Sequence, residues 1–218
     1  MMLKSQRRCS SLYMTAFILA AAISFSATAN EALKHVDHVM THWADTPQEQ
    51  GLLPVATAEA KVARNHADLA ASDLTNLSSM HLHTRHVLHA LDPAQEVKGP
   101  GLGYGLIKAS EAFAVHAELA SDSEDANDII RVSGIMVASV GRNTTRRAKE
   151  AFELSKKILA SKTIETAAPK VQKLRKLTHA LFMGEDLNKD GRIVWYHHEG
   201  GLKIAIEQME IIKNSTTQ

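Results

Sequence analysis

Cysteine is nearly absent from this sequence of 218 residues, which contains only Cys9. Cys9 comes before a run of apolar residues, 12–25, close to the start of the chain. Because this start has the features of a cleaved leader, we expect a mature protein without cysteine. That absence excludes disulfides, thiolate metal sites, thiol nucleophiles and covalently attached c-type haem.

The first 29 residues have the composition of a secretory signal peptide. Lys4, Arg7 and Arg8 come first, the apolar run follows, and the small residues Ala27-Thr28-Ala29 come last. The apolar run is shorter than the roughly 20 residues that a membrane-spanning helix needs. We therefore expect cleavage before Asn30, no membrane span in the mature chain, and a periplasmic or secreted location.

Strand patterns and aromatic residues are also scarce. Aromatic residues make up 5% of the chain, and no stretch shows convincing alternation of apolar and polar residues. Apolar residues recur instead at helical spacing, which predicts helices over residues 31–44, 55–71, 74–91, 106–120, 127–160, 166–183 and 198–212. Two points stay open: residues 72–76 either break a helix, with Asp73 as the cap, or continue it, and Gly141 is a candidate kink.

These segments predict an all-α protein, a helical bundle joined by short loops. We expect one globular domain in which residues 30–165 form the bundle and residues 166–218 form a helix-loop-helix unit packed on it. The glycine-rich connection at residues 99–105 follows no strand and lacks a Lys-Ser/Thr ending, so it is interpreted as a turn and not as a phosphate-binding loop.

Neither sign of charge dominates, and no catalytic motif is present. The 25 basic and 24 acidic residues become 22 and 24 once Lys4, Arg7 and Arg8 are removed, a formal charge of −2. We therefore expect no nucleic-acid binding. The sequence has no Gly-x-Ser-x-Gly elbow and no metalloprotease or di-iron motif, so we expect no enzymatic activity.

One segment combines residue types and spacing that specify a chemistry. Asp186, Asn188 and Asp190 place side-chain oxygens at alternate positions, and Gly191 permits the sharp turn that folds such a loop around a hard cation. Predicted helices flank the segment on both sides. Over about 40 residues this helix, loop and helix resembles the EF-hand family.

The resemblance implies a calcium site with Asp186, Asn188 and Asp190 as ligands at loop positions one, three and five, and the Arg192 carbonyl at position seven. It also implies that Ile193 faces the core. His197 occupies position twelve, where the family has a glutamate. Glu199, two residues later, provides the carboxylate if the exit of the loop is lengthened. We expect a solitary structural site of low affinity, about 10⁻⁴ to 10⁻³ M. The alternative is a degenerate loop that joins two helices without a metal.

Histidine is abundant, with 12 residues in the chain. His35, His38 and His42 share one face of the first predicted helix, opposite its apolar stripe, and are interpreted as a surface row. His83 and His86 likewise lie away from the apolar positions of their helix. Imidazoles one turn apart chelate zinc, copper or nickel, and solvated side chains are the alternative.

Three other histidines, His66, His81 and His116, fall on apolar stripes. Brought together inside a bundle, they would bind a transition metal or supply an axial ligand to haem, with Met80 as a partner. The alternative is that each is a buried histidine bonded to a backbone carbonyl.

These features predict an exported, non-enzymatic protein that binds calcium through its C-terminal loop. The alternative is a periplasmic carrier of a transition metal or haem that uses histidines of the bundle. A protein partner is not identified by the sequence. Residues 86–93 and 101–105 are similar to parts of uncharacterised exported bacterial helical proteins, and this likeness implies no activity.

Overall fold

Seven α-helices make up most of residues 30–216, the part of the chain that the computed structural model describes. No strand forms within these residues, which confirms the all-α prediction. The predicted signal peptide lies outside the described residues. The helices are α1 (Glu31–Met40), α2 (Leu52–Ser72), α3 (Leu77–Leu91), α4 (Leu106–Asp122), α5 (Asp128–Leu159), α6 (Ile164–Met183) and α7 (Leu202–Thr216).

Side-chain caps set several helix starts. The Oδ1 atom of Asn76 accepts a hydrogen bond from the N–H of Ser79 at 2.9 Å, so α3 begins after Asn76. Asp73, the predicted cap, instead accepts from the N–H and hydroxyl of Thr75 within the connecting turn. The break between α2 and α3 is therefore confirmed, while its predicted cap is wrong.

Several helix boundaries differ from the prediction, and two of these differences have a clear structural cause. Helix α1 ends at Met40 and not at residue 44, because the chain turns back so that the N–H of Trp43 bonds the carbonyl of Glu49. Helix α7 begins at Leu202 and not at residue 198, because His197 and His198 have φ of 54° and 65°, the left-handed region.

Helix α5 runs unbroken through Gly141, where a kink was the open alternative. A Cβ at Gly141 would lie 2.7 Å from side-chain atoms of Phe113 and Ala114 on α4. Glycine is needed there because α4 and α5 approach closely.

The packing order determines which side chains can meet. Helix α5 packs against α3, α4, α6 and α7, and α2 packs against α3, α4 and α6. Helix α1 packs chiefly against α4, and α3 makes little contact with α4, so helices that follow each other in the chain are not always neighbours in space. Helix α1 therefore presents its side chains to α4, and α2 presents its side chains to α3.

One cluster of buried apolar side chains includes residues of all seven helices, from Val36 on α1 to Ile212 on α7. Helices α6 and α7 contact α5 more extensively than they contact each other. Within residues 30–216, no helix is both long and apolar enough to cross a membrane.

Candidate metal centres

The first triad consists of His35 and His38, one turn apart on α1, and His116 on α4. The Nδ1 atom of His116 lies 3.0 Å from Nδ1 of His35 and 3.4 Å from Nδ1 of His38. All three side chains are half-buried. The packing of α1 on α4 thus makes three ring nitrogens converge on one point.

The second triad repeats this construction at the contact of α2 and α3. His83 and His86 are one turn apart on α3, and His66 faces them from α2. The Nδ1 atom of His66 lies 3.1 Å from Nδ1 of His83 and 3.2 Å from Nδ1 of His86. Among residues 30–216, these two triads are the groups of three or more His, Cys, Asp or Glu whose ligand atoms lie within 4.8 Å of one another.

Hydrogen bonds alone do not account for these contacts. A neutral imidazole nitrogen carries either one N–H or one in-plane lone pair, so it makes one good hydrogen bond. Nδ1 of His116 and Nδ1 of His66 each face two other ring nitrogens. A single cation shared by three lone pairs would satisfy the three Nδ1 atoms of a triad at once.

The distances fit a bound metal ion. Four nitrogens around a tetrahedral ion with bonds of about 2.0–2.1 Å lie about 3.3 Å apart, close to the 3.0–3.4 Å observed between Nδ1 atoms. In each triad, the point equidistant from the three ring centroids lies about 3 Å from each of them. An ion bonded to an imidazole nitrogen lies at about that distance from the ring centroid.

The environment keeps key imidazoles neutral. Burial, followed by the neighbouring histidines, lowers the pKa of His66 and of His116 to about 4 from the ordinary 6.5. The pKa values of His38 and His83 are lowered as well, first by burial and then by the adjacent triad member. Near neutral pH each of these imidazoles is therefore neutral and has one nitrogen with a free lone pair, the form that binds a metal.

The surroundings of the first triad favour cations. A cavity of about 650 Å³ is lined by His35 together with carboxylates of Glu31, Asp122, Glu124 and Asp125. No Lys or Arg lines this cavity, although Glu31 also pairs with Lys34 at 3.6 Å. The remaining carboxylates favour positive ions beside His35.

The histidine groups expected from the sequence are not the groups that form. His66, His81 and His116 do not come together, because His66 and His116 belong to different triads and His81 belongs to neither. His42 is exposed, lies 3.8 Å from Glu49, and is separate from the triad that contains His35 and His38. The structure therefore groups these histidines differently from both predicted sets, the interior set (His66, His81 and His116) and the surface row (His35, His38 and His42).

Two further expectations concern the interior of the bundle. Met80 is fully buried in the apolar core. Nε2 of His81 is buried and has no hydrogen-bond partner among the described residues. A buried histidine bonded to a backbone carbonyl does occur, but it is His89, whose Nδ1 lies 2.6 Å from the carbonyl oxygen of Glu96.

His83 and His86 are ligand candidates that the sequence reasoning left on the surface. The available signal was the spacing His-x-x-His, which occurs at 35–38, 83–86 and 86–89 and places the members of each pair on one helix face. A third histidine from a neighbouring helix completes each group, and its identity depends on the packing.

The C-terminal loop turns its oxygens toward its own backbone. The carboxylate of Asp186 accepts from the N–H groups of Asp190 and Gly191, and Asn188 Oδ1 accepts from the N–H of Asp190. Asp190 Oδ1 accepts from the N–H of Arg192. Ile193, expected to face the core, is 40% exposed.

Glu199 points into this loop. Its side chain is fully buried, Oε1 accepts from the N–H of Asn188 at 3.3 Å, and Oε2 accepts from the N–H of Val194 at 3.2 Å. Glu199, and not His197, therefore supplies the carboxylate that closes the loop.

Arg147 on α5 fixes the exit of the loop. Its guanidinium is buried and donates to the carbonyls of His198, Glu199 and Gly200. Burial lowers the pKa of Arg147 to about 10, which leaves the group charged at neutral pH. Nothing in the spacing of the loop residues indicated this arginine, because its role depends on the packing of α5 under the loop.

Comparison of this chain with family models, curated proteins and solved structures found no match.

Proposed function

We propose that the protein binds transition-metal ions at the two triads and serves as an exported metal carrier or buffer. The observation that carries the proposal is the convergence of three Nδ1 atoms, twice, at distances that suit one ion. Neutral imidazole is a preferred ligand of zinc and copper ions. The lowered pKa values of His66 and His116 support metal binding in place of protonation.

An ion suits the triads better than haem does. In haem, four porphyrin nitrogens occupy the plane around the iron, and protein ligands approach only along the axis. In each triad the three ring nitrogens lie within 4.8 Å of one another, which leaves no space for the porphyrin plane. Each triad would supply three ligands and leave a further position for water or for a ligand from a receiving partner.

Metal stoichiometry tests the proposal. Residues 30–218, purified without a histidine tag and treated with a chelator, are titrated with Zn²⁺ by calorimetry, and bound metal is measured by mass spectrometry. We expect two ions per chain, one in His116→Gln, one in His66→Gln, and none at comparable affinity in the double variant. His42→Gln is the matched control, because His42 lies outside both triads. Two ions retained in the double variant would refute the proposal.

A second candidate function is calcium binding by the C-terminal loop. The observation that favours it is the buried Glu199 carboxylate facing Asn188 within the loop. The Glu199 carboxylate would supply the negative charge that is missing at His197, so its removal should weaken calcium binding. Calorimetry at millimolar Ca²⁺ should give one weak site that disappears in Asp186→Ala with Asp190→Ala and weakens in Glu199→Gln. Unchanged binding in both variants would contradict the calcium assignment without affecting the triads.

A further inference from the structure

Trp43 distinguishes the first triad from the second. Its ring centroid lies 4.7 Å from that of His38 and 4.6 Å from that of His116, and both contacts are tilted or edge-on. The ring contacts of the second triad that the structure describes are contacts among its own three histidines. An indole therefore covers one side of the first triad only.

A network of polar contacts holds the indole in this position. The Tyr104 hydroxyl lies near the Trp43 side chain and donates to Asp45 Oδ2 at 3.1 Å. Asp45 in turn pairs with Lys108 at 2.7 Å, and the Lys108 ammonium lies 4.1 Å from the centroid of the Tyr104 ring. The backbone of Trp43 is held as well, because its carbonyl accepts from the hydroxyl of Thr46.

The ring distances limit how far a bound ion lies from the indole. An ion bonded to ring nitrogens of both His38 and His116 lies about 3 Å from each imidazole centroid. Given the three centroid distances among Trp43, His38 and His116, such an ion stays within about 6 Å of the indole centroid in every orientation. At that distance the indole occupies space beside the ion and limits the room for a fourth ligand.

Resting on the metal-binding function proposed above, we propose that Trp43 makes the first triad a site for Cu(I) in preference to Zn²⁺. Zn²⁺ takes four ligands in a tetrahedron, and an indole supplies no lone pair for the fourth position on the side that it covers. Cu(I) is a monovalent ion that is stable with three nitrogen ligands, so the space that the indole occupies removes no ligand that Cu(I) needs. The second triad has no such cover and completes a Zn²⁺ shell with water.

Single-site variants isolate the two triads for measurement. His66→Gln with His83→Gln leaves the first triad, and His38→Gln with His116→Gln leaves the second. For each, the Cu(I) affinity is measured by competition with a chromogenic Cu(I) chelator under anaerobic reducing conditions, and the Zn²⁺ affinity by competition with a fluorescent zinc probe. The quantity compared is the ratio of the two affinities. Circular dichroism verifies that each variant is folded.

We expect the ratio of Cu(I) to Zn²⁺ affinity to be higher at the first triad than at the second by about tenfold, the scale of one lost water contact. Trp43→Leu should reduce this difference by strengthening Zn²⁺ binding, and Trp43→Phe should retain part of it. Trp195→Phe is the matched control, because Trp195 contacts neither triad, and it should leave the ratio unchanged.

Three results separate the possible failures. Equal ratios at the two triads, or a ratio that Trp43→Leu does not change, would overturn the role of Trp43 while leaving metal binding intact. Equal losses of Cu(I) and Zn²⁺ affinity in Trp43→Leu would overturn it too, because they would show that the indole only supports the fold of the site. Absence of both metals from both triads would instead refute the proposed function itself.

Discussion

Acid is expected to destabilise the metal-free protein through His66 and His116. The pKa of each is about 4 in the folded protein against an ordinary value of 6.5. Between these values the unfolded chain binds protons that the folded chain excludes, so the free energy of unfolding falls as the pH is lowered. The stabilisation is fully present above pH 6.5 and is lost progressively between pH 6.5 and pH 4.

The size of this effect follows from the two shifts. Each excluded proton changes the free energy of unfolding by about 1.4 kcal/mol per pH unit. The full shift of either histidine corresponds to about 3 kcal/mol, and because both side chains are only half-buried, solvent screening reduces this to about 1–2 kcal/mol each. Together they should contribute about 2–4 kcal/mol of acid sensitivity.

Urea unfolding at several pH values measures the effect. The chelator-treated protein is compared with His66→Gln/His116→Gln between pH 7.5 and pH 4.5, because glutamine does not titrate. We expect the free energy of unfolding to fall more steeply in the natural sequence than in the double variant. His42→Gln, which removes an exposed histidine, should retain the steep dependence. Parallel curves for the natural sequence and the double variant would refute the assigned pKa values.

Three further predictions concern stability. Arg147→Ala should lower the free energy of unfolding by about 3 kcal/mol in urea titrations, because three loop carbonyls lose a charged donor. Arg147→Lys should recover only part of this stability, and a loss below about 1 kcal/mol in Arg147→Ala would contradict the role of Arg147. Glu59→Ala should lower the free energy of unfolding by about 2 kcal/mol, because the buried Oε1 of Glu59 accepts from the N–H groups of Tyr104 and Gly105. Glu59→Gln retains that acceptor and should lower it less. Equal losses for the two variants in thermal unfolding would argue against these bonds. Zn²⁺ should raise the free energy of unfolding of each single-site protein by about 1.4 kcal/mol for every tenfold increase in its concentration above the dissociation constant, because the ion binds the folded chain. Urea unfolding of the two single-site proteins over a range of Zn²⁺ concentrations checks this slope, and a free energy of unfolding that does not change with Zn²⁺ would contradict it.

Most of the helices were predictable because their signal is local. The apolar period of 3.6 residues specifies a helix wherever it is sustained, and it located all seven helices. Helix ends depend on fewer atoms, and they were less accurate. The cap of α3 is Asn76 and not Asp73, and the left-handed residues His197 and His198 delay the start of α7.

In the C-terminal loop, too, some features follow from the local sequence and others only from the tertiary packing. The spacing of Asp186, Asn188 and Asp190 could be recognised in the sequence, and Glu199 was the nearest carboxylate that could close the loop. The burial of Glu199 and its bonds to the loop backbone required the position of α5, whose Arg147 holds the loop exit. Calcium binding at this loop stays a prediction.

The sequence by itself determined the helices, the absence of cysteine from residues 30–218, and the His-x-x-His pairs at 35–38 and 83–86. Each pair is specified locally, since residues three apart in a helix share a face. The tertiary structure decided which third histidine joins each pair, because that depends on α1 packing against α4 and α2 packing against α3. Helical periodicity states which face of a helix is buried and not which helix lies against it, so both triads became visible only in the packed bundle.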